Sequence, residues 1–129
     1  MGFLRPHTDK IYAALRIMTG LLFLQHGFQK ILGLFGGPPD GAPGFIVYGA
    51  GGIELVGGVL IAAGLFAAPA AFISSGTMAV AYFMGHWARS GEFFPIENGG
   101  ELAIVYCFAF LLVAAKGSGI WSVDAMRGA

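Results

Sequence analysis

The sequence predicts an all-α fold, an integral membrane bundle of four helices. Three observations carry that reading. Of the 129 residues, 57% are hydrophobic and 11% charged. A soluble domain carries about 25% charged residues, so this chain lacks the polar surface to face water, and its mean hydropathy is +0.76. The apolar stretches approach the roughly 20 residues a helix needs to cross a bilayer. The 22 glycines suit membrane helices, whose backbones approach each other closely at small residues.

The first ten residues are polar and basic, with Arg5, His7, Asp9 and Lys10. Span one runs over about 11–33. The basic start resembles a signal peptide, but the run is followed by Gln25 to Lys30 and by no small-residue cleavage site, which predicts an uncleaved span. Residues 36–44 hold seven glycines and prolines around Asp40 and break any helix. Span two runs over about 45–66. Ala67-Ala68-Pro69 is a tight connection, with the proline suited to the first turn of span three, predicted over about 69–88. A polar loop with Phe93-Phe94-Pro95 precedes span four, over about 99–115. Trp121 in the tail is placed as an interfacial anchor. With no repeat and no second composition, residues 1–129 read as a single four-span domain.

Seven basic and seven acidic residues cancel, and no basic stripe tracks phosphates, which excludes a nucleic-acid partner. Four spans put both termini on one side, with Arg5, Lys10, Lys116 and Arg127. That basic bias predicts cytoplasmic termini. The one cysteine, Cys107, excludes an intrachain disulfide or dithiol relay and reads as a small core residue.

Span one organises the candidate site. Residues three and four apart share a helix face, so Arg16, Thr19, Phe23, His26 and Lys30 form one stripe. Facing lipid, it would be costly; ionisable groups at membrane depth are functional candidates. Arg16 and Lys30 lie about 21 Å apart along the axis and belong to different layers. On span two, Ala50, Glu54, Gly57, Ile61 and Gly64 share a stripe, which points Glu54 inward, where Lys30 or His26 is its natural partner. On span three, Ser75, Ala79, Tyr82 and His86 share a stripe. With alternating helix directions, His26, Lys30, Glu54, His86 and Glu101 fall in the same outer half as a candidate ligand-binding cluster.

Plainer readings compete. Lys30 reaches the headgroups by snorkelling. His26 and His86 serve as hydrogen-bonded packing residues. Asn98 and Glu101 have the spacing of a capping box. Arg16 pairs structurally with Asp124 folding back from the tail. Gly58 and Ala62 form a small-residue pair for contact within the bundle or within a homo-oligomer.

These motifs together resemble the DoxX family of small four-helix membrane proteins. The matching pieces are Arg16 to Gly20, His26-Gly27 with Lys30, Glu54 with Gly57-Gly58 and Gly64, Pro69, Asn98-Gly99-Gly100-Glu101, and Gly119 to Asp124. The resemblance covers nearly the whole chain. It implies a bacterial inner-membrane protein associated with redox chemistry, since relatives include the membrane subunit of thiosulfate:quinone oxidoreductase. The polar family positions fall on Arg16, His26, Lys30, Glu54, Asn98, Glu101 and Asp124; His86 is not a firm one.

The first functional expectation is therefore a quinone-interacting membrane subunit or accessory of an oxidoreductase system. His26, Lys30 and His86 would bond the ring oxygens, Glu54 or Glu101 would supply protons, and Phe23, Phe28, Tyr82 and Phe108 would line the slot. No dinucleotide fingerprint or iron–sulfur cysteine set is present, so electrons would come from a partner protein. The alternatives are a scaffold for a redox partner, with the polar groups as glue, and a small-solute or proton transporter accessory around Lys30 and Glu54. Haem between His26 and His86 rests on two histidines only and is not expected. A metal held by His26, Glu54, His86 and Glu101 would draw on four helices in no compact motif, and none is predicted.

Overall fold

The computed structural model describes residues 1–128, and every regular element among them is helical. A short 3₁₀ turn, Arg5–His7, leads into α1, Thr8–Ile31. Next comes α2, Gly44–Ala63. Helix α3 spans Ala67–Ser90 and contains a π-helical stretch, Ala81–Trp87. A one-turn α4, Pro95–Asn98, precedes α5, Glu101–Lys116, and a last turn, α6, covers Val123–Met126. The four long helices pack in the cyclic order α1, α2, α3, α5, with α1 against α5 the slightest contact. Two of them, α2 and α3, are long and apolar enough to cross a membrane. Helix α1 carries Asp9, Lys10, Arg16 and Lys30, and α5 has 16 residues.

Glycine decides how α1 and α2 meet. A Cβ on Gly20 would lie 2.5 Å from the Ala62 nitrogen, and one on Gly27 would lie 2.5 Å from the Leu55 nitrogen. From the other side, a Cβ on Gly58 would lie 2.7 Å from the Leu24 Cα. The two backbones are in contact, and Gly58 and Ala62 are used inside this chain, against α1. Next to that seam, Phe23, Tyr106 and Phe110 stack in the core. Phe23 sits edge-on to Phe110 at 4.7 Å, and Tyr106 lies parallel to Phe110 at 5.4 Å. Ser75 Oγ donates to the Cys107 carbonyl at 2.7 Å and ties α3 to α5.

The α2–α3 connection closes at the end of the molecule that holds the tail. Gly64 has a left-handed backbone (φ 71°), and the Leu65 amide donates to the Leu60 carbonyl at 2.9 Å, the usual way to stop a helix. The structure corrects the expected pairing of Arg16 with Asp124. The Arg16 side chain is fully buried, and it donates to backbone carbonyls: Ile61 at 3.0 Å, Ile120 at 3.0 Å, Trp121 at 2.6 Å and also Ser118. Asp124 instead accepts from the Phe66 amide at 3.0 Å and from Ser118 Oγ at 2.7 Å, capping the start of α3. A guanidinium has five donors in a rigid fork. Here it clamps a carbonyl-lined loop, which a carboxylate alone could not fill. The tail is thereby latched across α1 and α2.

The Asn98–Glu101 capping box is also corrected. Asn98 ends α4, and Gly100 is the residue before α5. Asn98 Oδ1 accepts from the Gly100 amide at 2.8 Å, while its Nδ2 donates to the Glu92 carbonyl at 2.9 Å and to Tyr82 Oη at 3.3 Å. Tyr82 Oη in turn donates to the Phe93 carbonyl. The left-handed Gly99 (φ 74°) breaks the helix between them. Asn98 thus organises the 91–100 loop rather than the start of α5.

Candidate functional site

Lys30 and Glu54 form an ion pair. Lys30 Nζ lies 2.6 Å and 2.8 Å from the two Glu54 carboxylate oxygens. The side chains are 15% and 4% exposed, so Lys30 bends inward to the carboxylate rather than snorkelling. The local reason is again glycine. Gly51, one turn before Glu54, lies where a Cβ would be 2.8 Å from Lys30 Cβ, so the lysine stem runs directly over α2 and reaches Glu54.

The pair stands between two cavities that share it. One, of about 290 Å³, is walled by Phe23 and His26 of α1, Met78 and His86 of α3, and Ala103 and Tyr106 of α5. It lies where α1 and α5 pack least. The other, of about 280 Å³, runs between α2 and α3, beside Ala50, Thr77, Ala81, Met84 and Arg89. Pro39 of the 32–43 loop lines both, and Gln29 Nε2, donating to the Phe35 carbonyl at 3.2 Å, holds that loop. His26 faces Tyr106 edge-on, with ring centres 6.1 Å apart. His86 Nδ1 lies 3.3 Å from the Asn98 carbonyl. His86 is on the π-helical stretch, a distortion common where a helix carries function.

The structure therefore brings together four of the five expected cluster residues, His26, Lys30, Glu54 and His86. Glu101 does not join them. It is exposed and lines a separate shallow groove with Phe94, Ile96 and Val105. The rotation of α5 that buries Ala103, Tyr106, Phe110 and Val113 leaves its first residue facing outward. Of the predicted slot residues, Phe23 lines the site; Phe108 is 65% exposed on the opposite face of α5, and Tyr82 is turned toward the Phe93 carbonyl. Tyr106 takes the aromatic place instead. Its signal was available: Ala103, Tyr106, Phe110 and Val113 form the buried stripe of α5. Among the described residues, no group of three or more His, Cys, Asp or Glu side chains is gathered closely enough to hold a metal ion.

Apolar helices, two of them able to cross a membrane, around a buried ion pair beside a cavity define a small all-helical membrane-associated protein. The DoxX family model matches residues 11–87, and the chain belongs to the DoxX family. An uncharacterized protein of Haemophilus influenzae is 42% identical over 96% of this chain and 96% of its own length. A Bacillus subtilis protein named "Putative oxidoreductase CatD" is 42% identical over 55 residues, 40% of this chain and 41% of its own. No solved structure matches the chain.

Proposed function

We propose that this is a four-span inner-membrane protein, with cytoplasmic termini, whose central cavity binds a quinone ring as the membrane subunit of an oxidoreductase system. The observation that carries this reading is the Lys30–Glu54 pair at the junction of two cavities. A charged pair that served only to hold helices together needs no open space beside it, and burying it is costly without full satisfaction. Here the lysine and the carboxylate line both cavities, and an ammonium and a carboxylate can each make more hydrogen bonds than the two they share. The walls offer a quinone what it needs: Phe23 and Tyr106 for the ring, and Lys30, His26 and His86 as donors to its oxygens. Reduction requires two electrons from a partner protein and two protons, which His26 and the Glu54 carboxyl are placed to relay. The relative named as an oxidoreductase supports the redox reading.

A second reading has one observation in its favour. Lys30 and Glu54 satisfy each other's charge, so the pair also serves a non-catalytic scaffold for a redox partner. Titration of the purified protein with a short-chain quinone separates the two. Saturable binding lost in His26→Ala and Glu54→Gln, with both variants folded, supports the quinone site. Binding unchanged in both variants, or none in the wild type, leaves the scaffold.

A further inference from the structure

The cavity between α2 and α3 carries more positive than negative charge. Lys30, His86 and Arg89 line it against one carboxylate, Glu54, which is already paired with Lys30. Five Lys and Arg side chains lie beyond residue 10. Arg16 is clamped on carbonyls, Lys30 is paired with Glu54, Lys116 lies over the Tyr12 ring, and Arg127 lies near Asp124 and over the Phe66 ring. Among the described residues, only Arg89 of the five has no such partner. We infer that this cavity binds the phosphate of an anionic phospholipid, with Arg89 as its main donor. The inference rests on the membrane reading above and is independent of the quinone, whose ring walls, Phe23 and Tyr106, belong to the other cavity.

Chemistry, position and shape argue for a phosphate carried by lipid. A guanidinium offers two parallel N–H donors that match two phosphate oxygens, and a neutral ligand would make no use of the surplus charge. The start of α2 adds to the same sign: Pro43 at its cap, with Phe45 and Ile46 of its first turn, lines the cavity, and the positive end of a helix dipole favours an anion. The cavity lies between the two helices long and apolar enough to cross a membrane, and Arg89 is in the last turn of the second. Its mouth is apolar and faces sideways. Phe45 of α2 and Val80 and Met84 of α3 line the same cavity and are 71%, 55% and 52% exposed. Free phosphate has no use for such a rim, whereas the acyl chains of a lipid would lie along it.

The test titrates the purified full chain in a neutral detergent with dihexanoyl phosphatidylglycerol, dihexanoyl phosphatidylcholine and inorganic phosphate. Native mass spectrometry reads the lipid bound per chain, and calorimetry reads affinity. Wild type is expected to take up one phosphatidylglycerol per chain, about tenfold more tightly than phosphatidylcholine, a difference of one decade in affinity. Arg89→Gln should erase that preference, and Arg89→Lys should restore only part of it, because lysine keeps the charge but loses the fork. Gly85→Glu is the second variant. Gly85 lines the cavity, a Cβ there would meet no atom within 4 Å, and the added carboxylate should repel the anion. The control Lys10→Gln should leave the preference intact; an equal loss there would mean diffuse attraction to a basic surface and overturn the site. Equal affinity for the two lipids in wild type, or a preference unchanged in both Arg89→Gln and Gly85→Glu, would also overturn it. Inorganic phosphate bound as tightly as phosphatidylglycerol would support the anion site and overturn the lipid as its occupant. Binding of a tail-free quinone, measured alongside, should stay within about twofold of wild type in Arg89→Gln. Its absence in wild type would sink the quinone reading and leave the lipid site standing.

Discussion

Replacing Glu54 by Gln tests whether Lys30 and Glu54 act as one unit. The carboxylate accepts from Lys30 Nζ with both oxygens, at 2.6 Å and 2.8 Å, and both side chains are largely withdrawn from solvent. Removing one partner of a buried pair leaves an uncompensated charge and costs about 3–5 kcal/mol. A neutral interhelical hydrogen bond in a membrane protein is worth only about 0.6 kcal/mol. The charge decides the outcome. Glu54→Gln and Lys30→Met should each cost about 3 kcal/mol, a fall of about two decades in the folded-to-unfolded ratio. The double variant, Lys30→Met with Glu54→Gln, should recover most of that loss, because no lone charge remains. Reversible unfolding in mixed micelles measures all four states of the cycle. Additive losses, or singles below about 1 kcal/mol, would refute the coupled buried pair. Ligand binding adds a second readout: the double variant should be stable yet fail to bind quinone. Restored binding there would make the pair glue alone.

Other outcomes follow from the same geometry. Gly27→Val places side-chain atoms where the Leu55 backbone already lies, so α1 and α2 must separate; a loss of about 3 kcal/mol or more is expected from overpacking, read in the same unfolding assay, whereas Gly52→Ala should change stability by less than about 0.5 kcal/mol. Arg16→Met leaves the carbonyls of Ile61, Ser118, Ile120 and Trp121 without their donor, at about 1–3 kcal/mol for each buried group left unpaired; limited proteolysis should then cut within residues 117–124, and an uncut tail would argue against the latch. At the loop end, hydrogen bonding to Glu92, with its charge, holds the Glu97 carboxyl above the ordinary range for glutamate. A raised folded-state value means that this contribution is fully present below the unfolded glutamate pKa and fades as pH rises through the folded one. Carbon-13 titration of Glu97 should show the elevation, and Glu92→Ala should remove it.

Helix rotation explains which parts of this account were legible in the sequence. The stripes of α1, α2 and α3 were: Arg16, Phe23, Glu54, Gly57, Ile61, Ser75 and Tyr82 are all buried, because a 3.6-residue period assigns faces within one helix. The inward aim of Glu54 was legible for the same reason. Glu101 was not, because two glycines precede α5 and leave its rotation open to tertiary packing. Tyr106 did carry a signal, the helical spacing of Ala103, Tyr106, Phe110 and Val113, but a faint one in so apolar a helix.

By itself the sequence determined the all-helical class, the apolar stretches and the set of ionisable groups available to an interior. Tertiary structure decided which of those groups meet. It paired Lys30 with Glu54, gave Arg16 to the tail carbonyls, and turned Glu101 away. It also left the α1–α5 and α2–α3 seams open while closing α1 on α2. The reason is that a helical repeat specifies positions around one axis. The distance and rotation between axes come from packing, here from Gly20, Gly27, Gly51 and Gly58, whose missing side chains bring two backbones together and carry Lys30 to Glu54.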